Sequence, residues 1–150
     1  MAKKRIGELL IADGLLTNEQ LEKALEVQKK QGGFLGKILV ELGFVTEEQV
    51  ADHLMEQGGH AYLPLGCYDI DQGLLDIFTE DICRGLGVLP VDKIGNVITV
   101  AVADDMDEET MENVKKLIPG GDIKVFITTL TELGEAFDKY FNKKDQEKTT

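Results

Sequence analysis

Gly7, Gly14 and Gln28 recur as Gly36, Gly43 and Gln57, each pair 29 positions apart. A side-chain amide that returns at a fixed offset is a candidate binding group, able to donate and accept at once. The glycines have a simpler reading as turn and helix-cap residues, although a glycine also lets a backbone approach a ligand closely. Residue types that would do catalysis are not arranged to do it. The chain has no GxxxxGK[ST] phosphate loop, no G-x-S-x-G elbow and no paired Cys-His motif, so no catalytic residue and no ATPase activity of its own are expected. His53 and His60 lack Cys, His or carboxylate partners at the spacing of known metal motifs, so no metal site is expected. Cys67 and Cys83 could form at most one bridge and are expected to be buried thiols.

The recurring residues belong to an internal repeat. Residues 5–28, RIGELLIADGLLTNEQLEKALEVQ, align without a gap on residues 34–57, FLGKILVELGFVTEEQVADHLMEQ. Leu10 pairs with Leu39, Thr17 with Thr46, Gln20 with Gln49 and Leu25 with Leu54. Most other pairs exchange one aliphatic for another, such as Ile6 with Leu35. Each unit predicts two helices. The first is short and apolar and ends at Gly14 or Gly43. The second opens with a Thr-x-x-Gln capping box, Thr17 with Gln20 and Thr46 with Gln49. Apolar residues at helical spacing follow, and Gly32-Gly33 or Gly58-Gly59 stop the helix. One unit cannot bury its own stripe, so the two copies should pack together with pseudo-two-fold symmetry.

From His60 onward the pattern changes. Asp71 and Thr79 are candidate N-caps of short helices over 72–78 and 80–85. Strands are expected over Val88–Val91, Val97–Ala103 and Ile123–Thr128. Asp107 would cap a helix over 108–118, and a last amphipathic helix starts at Thr129 or Thr131. The polar end from Lys143 is expected to be disordered. The fold class is therefore α+β: an all-helical tandem-repeat subdomain over 1–59, then a small α/β subdomain over 60–142 and the tail 143–150. The formal charge of −12 argues against DNA, RNA or an anionic membrane surface as partners. It does not exclude one small anion in a local pocket. No apolar run is long enough to span a membrane, and charge breaks up any signal-peptide core near the start, so a cytoplasmic location is expected.

The doubled unit, with its five-residue spacer, resembles the MshEN domain of type II secretion and type IV pilus assembly ATPases. The matching residues are Arg5, Ile6, Gly7, Leu10, Ile11, Gly14, Leu15, Leu16, Leu21, Leu25 and Gln28, then Leu35, Gly36, Leu39, Val40, Gly43, Phe44, Val45, Val50, Leu54 and Gln57. The stretches VLPVDK and VITVAVADDMD are similar to the α/β half of the same region. Some members of that family bind cyclic di-GMP, each repeat holding one half of the ligand. The resemblance thus implies a non-catalytic regulatory domain with cyclic di-GMP as its candidate ligand and no other cofactor. The implied ligand-binding residues are Arg5, Ile6, Gly7, Leu10, Gly14 and Gln28, then Phe34, Leu35, Gly36, Leu39, Gly43 and Gln57, with Asp104 after the second strand. It further implies, as partners, a secretion or pilus ATPase domain and the cytoplasmic face of inner-membrane assembly proteins. One position departs from the family pattern. Phe34 stands where the second unit should begin with Arg, and a phenyl ring can stack on a base but cannot read its edge. A good bidentate base contact is worth roughly 1–3 kcal/mol, so weaker binding is expected. The other reading is a protein-interaction module of the same machinery with a degenerate ligand site.

Overall fold

The computed structural model describes residues 6–106 and 108–141. Arg5, Asp107 and the tail from 142 lie outside the described residues, so the expectations placed on them are not addressed below. The first half is helical throughout: α1 (Ile6–Ala12), α2 (Asn18–Gln31), α3 (Leu35–Glu41) and α4 (Glu47–Gly58). Both long helices begin as their sequence dictates. Thr17 and Thr46 adopt the same extended conformation, each accepts the N–H of the Gln three residues on, and each Gln returns the bond to the cap. Gly14 and Gly43 turn the chain with φ of +75° and +78°, a region where a side chain is strained. The packing crosses between units, α1 on α4 and α2 on α3. That reciprocal arrangement is what two like amphipathic pairs adopt about a pseudo-two-fold axis.

The second half starts with two 3-10 turns, Leu65–Cys67 and Gln72–Asp76, the latter capped by Asp71 through the Gly73 N–H. The sequence predicts a short helix over 72–78, where a 3-10 turn over Gln72–Asp76 forms instead. The turn at Leu65–Cys67 was not expected, and it carries Cys67 at the surface, whereas Cys83 is buried as anticipated. Burial pushes the Cys83 thiol up to about 12. Next come α5 (Glu80–Leu86), β1 (Val88–Ile94), β2 (Val97–Val102), α6 (Glu108–Lys116), β3 (Asp122–Ile127) and α7 (Leu130–Phe141). The sheet order is β1-β2-β3, with β1–β2 antiparallel through the Gly95 turn and β2–β3 parallel across the α6 crossover. Pro90 sits on the edge strand, where its missing N–H is tolerated, and the register slips between Pro90 and Asp92. A lone bridge joins Tyr62 to Ile127.

The apolar core runs without a break from one half to the other, from Ile6, Leu10, Leu39 and Val50 to Phe78, Leu89, Ile98 and Ile127. α4 packs against β3. Glu132 on α7 knits the second half together by accepting from the Tyr62 hydroxyl, the Leu65 N–H and the Thr128 hydroxyl. Among the described residues no helix is long and apolar enough to cross a membrane.

Candidate functional site

Asp104 lies two residues beyond the C-terminal end of β2, the place where open α/β folds leave room for ligands. Its carboxylate reaches into the helical half. It accepts the N–H of Lys37 at 3.0 Å, the N–H of Asp105 at 2.7 Å and the N–H of Gly36. Phe34, the N-cap residue of α3, has no side-chain oxygen to cap with. Asp104 therefore supplies the cap from across the domain. Burial pushes the Asp104 carboxyl from 3.8 up to about 6, against the pull of those donated hydrogen bonds; the neighbouring Asp105 adds to the rise. The N–H groups of Gly36 and Lys37 at the start of α3, a place that would suit a phosphate, are thus engaged by a carboxylate.

Beside Asp104 opens a groove of about 250 Å³ lined by Ile6, Gln28, Gly33, Phe34, Leu35, Asp104, Asp105 and Thr110. It brings together residues of both repeats. Gln28 donates from Nε2 to the Gly33 carbonyl at 3.0 Å, which fixes the wall of the groove at the end of α2. Phe34 forms a partition. Its ring lies on Gly87, where a Cβ would stand 2.8 Å from Phe34 Cζ, and φ is +69°. Beyond that ring a second cavity of about 300 Å³ holds Lys37, Arg84, Leu130, Leu133 and Phe137. Arg84 stacks over the Phe137 ring at 5.2 Å and bonds Glu80 at 2.9 Å. Among the described residues no lysine or arginine lines the first groove.

Of the residues singled out in the sequence, Ile6, Gln28, Phe34, Leu35 and Asp104 meet at this groove. Gln57 lines a smaller cavity of about 80 Å³ that also touches Asp104. Leu10 and Leu39 are fully buried core residues, so they support the site without facing it. Gly14 and Gly43 serve their turns. Gly7 and Gly36 are close-packing positions: a Cβ at Gly7 would stand 2.8 Å from Leu21 Cδ1, and one at Gly36 would stand 2.6 Å from Asp104 Oδ2. Gly33, Asp105 and Thr110 were not singled out. In the sequence Gly33 reads as a helix stop, and the only signal for Gly33 and Asp105 is proximity to Gln28 and Asp104 in the chain.

His53 also departs from its sequence reading. Its partners come from a distance that motif spacing does not encode. Asp13, 40 residues earlier, places Oδ2 2.5 Å from His53 Nε2, and Nδ1 lies 2.7 Å from the Gln49 carbonyl. Desolvation pulls the imidazole down, yet the Gln49 carbonyl, Asp13 and Glu56 together hold it above 6.5.

Comparison with known proteins places this arrangement. The MshEN domain family model matches residues 59–147, the α/β half and its flanks. The type IV pilus assembly ATPase PilB of Myxococcus xanthus is 28% identical over 140 residues, which cover 93% of this chain and 25% of that protein. The chain therefore spans about a quarter of that relative's length. A solved structure of MshE with cdg is 30% identical, with a TM-score of 0.68, covering 92% of this chain and 99% of that one. The N-terminal domain of XpsE shares the fold at 18% identity and a TM-score of 0.67, over 93% of this chain and 99% of that domain. The repeat, which lies before the matched span, is carried by these whole-chain structural likenesses, and with more than half its residues matched by the family model the chain belongs to the MshEN domain family.

Proposed function

We propose that this chain is a non-catalytic regulatory module that binds cyclic di-GMP in the groove between its two repeats. One observation carries the reading. Residues of both units, Ile6 and Gln28 from the first and Phe34 and Leu35 from the second, converge with Asp104 on a single groove. The likeness to MshE with cdg, read as cyclic di-GMP, supports that ligand. A two-fold symmetric dinucleotide suits a duplicated site. In this reading Ile6, Leu35 and the Phe34 ring give the bases an apolar surface on which to stack. Asp104 has donors on three sides, and a carboxylate has about four acceptor positions, so about one remains for guanine N1–H or N2–H. Arg5 would supply the guanidinium of the first half-site. The module's partners are then a secretion or pilus ATPase domain and the cytoplasmic face of inner-membrane assembly proteins, and its place is the cytoplasm.

A second reading is favoured by Phe34 itself. Where the family pattern has Arg, this chain has a ring packed on Gly87, and the groove beside it carries carboxylates and no cation among its described lining residues. A protein-interaction module with a degenerate ligand site would look the same. Calorimetric titration with cyclic di-GMP separates the two. The sensing reading expects heat for the wild type and stronger binding for Phe34→Arg. Silence from both proteins at high ligand concentration leaves the interaction module.

A further inference from the structure

We propose that Asp13, His53 and Glu56 form a binding site for a divalent transition cation of the Zn²⁺ class, at the junction of the two repeats and apart from the groove. The three residues each offer one ligand atom, and those atoms all lie within 4.8 Å of one another. His53 is 7% exposed. A carbonyl can only accept, so the 2.7 Å contact to Gln49 fixes the proton on Nδ1. That is the outer contact by which metal-binding histidines are oriented, and it leaves Nε2 as the coordinating atom. Nε2 points at the Asp13 carboxylate, with Glu56 one turn further along α4. An imidazole with two carboxylates suits a borderline cation; Mg²⁺ and Ca²⁺ prefer all-oxygen sites.

The repeat supplies an independent contrast. The positions 29 residues from Asp13, His53 and Glu56 are Leu42, Ala24 and Val27. The equivalent positions, at the end of α3 and on α2, are thus all apolar and part of the core or packed against it, and the polar trio is present at only one of the two junctions. Ligands about 2.1 Å from a tetrahedral ion stand about 3.4 Å apart. Nε2 and Oδ2, at 2.5 Å, must therefore separate by about 1 Å to admit a cation. The Asp13 side chain is half-exposed at the end of α1 and has room to swing. Water would take the fourth position. Such an ion ties the turn after α1 to α4 and holds the two repeats in register.

The test is a calorimetric titration of the chelator-treated full chain with Zn²⁺, alongside long-range ¹⁵N NMR of the His53 ring. Binding at one ion per chain is expected, with the Nε2 resonance moving to a metal-bound position while Nδ1 stays protonated. Asp13→Asn and Glu56→Gln, both at exposed side chains, should each weaken binding by at least the about 10–100-fold that even outer contacts contribute. Cys67→Ser should leave it unchanged, which separates this site from the exposed thiol. Mg²⁺ should not compete. Absence of one-to-one binding, unchanged affinity in both carboxylate variants, or a His53 ring that keeps both protons at saturating Zn²⁺ would each overturn the proposal.

Discussion

Gly7 and Gly36 hold equivalent places in the two repeats but answer to different neighbours. A Cβ at Gly7 would press on a Leu21 methyl, the free end of a side chain that can rotate away. A Cβ at Gly36 would strike the Asp104 carboxylate, which hydrogen bonds pin on three sides. Alanine gains up to about 1 kcal/mol of helix propensity over glycine. Gly7→Ala should therefore be near neutral in urea denaturation, while Gly36→Ala should cost about 1–3 kcal/mol, as overpacking does. Asp104 also gives a pH signature. Its folded pKa is raised from 3.8 to about 6, so its contribution to stability is fully present below 3.8 and is lost as pH rises through 6. Asp104→Asn should remove that slope, so the stability difference, wild type minus variant, should fall between pH 4 and pH 6 when measured by denaturant titration. A difference that is flat or rising across that range would contradict the assignment. Much of this was legible: Asp104, Gln28 and Phe34 were marked in the sequence and meet at the groove. The packing demand of Gly36 was not, because the atom it must avoid belongs to residue 104.

At the scale of elements, the two capping boxes are the clearest link from sequence to structure. Both threonines have φ of −96° and ψ of 160° and make the same reciprocal bonds. Thr17→Ala and Thr46→Ala should each cost about 1 kcal/mol, a similar loss for each, measured as shifts in the urea midpoint. A large inequality would show that one box is dispensable. Helices α1 to α4 were legible because caps, glycine stops and apolar spacing are all local signals. Strand positions were legible from alternation, β2 and β3 to within one residue, whereas β1 runs three residues past the expected end at Val91. The parallel pairing of β2 with β3, the slip after Pro90 and the Tyr62–Ile127 bridge were not, since they depend on which strand meets which. The Asp13–His53 contact escaped for the same reason: α1 meets α4 only once the repeats have packed.

For the molecule as a whole, the repeat half and the sheet half share one core, and Asp104 bridges them at the groove. The chain carries no phosphate loop and spans about a quarter of its pilus ATPase relative, so the purified chain should show no ATP hydrolysis above background. Turnover that co-purifies and is abolished by a point mutation would refute that expectation. Phe34→Arg should tighten cyclic di-GMP binding by about 1–3 kcal/mol, offset in part by lost packing of the ring on Gly87. The most direct measurement is a ¹H–¹⁵N NMR titration of the wild-type chain with cyclic di-GMP. Saturable shifts are expected, confined to Gln28, Gly33, Leu35, Asp104, Asp105 and their neighbours. Saturable shifts centred elsewhere, or none in either the wild type or Phe34→Arg, would contradict binding in the groove.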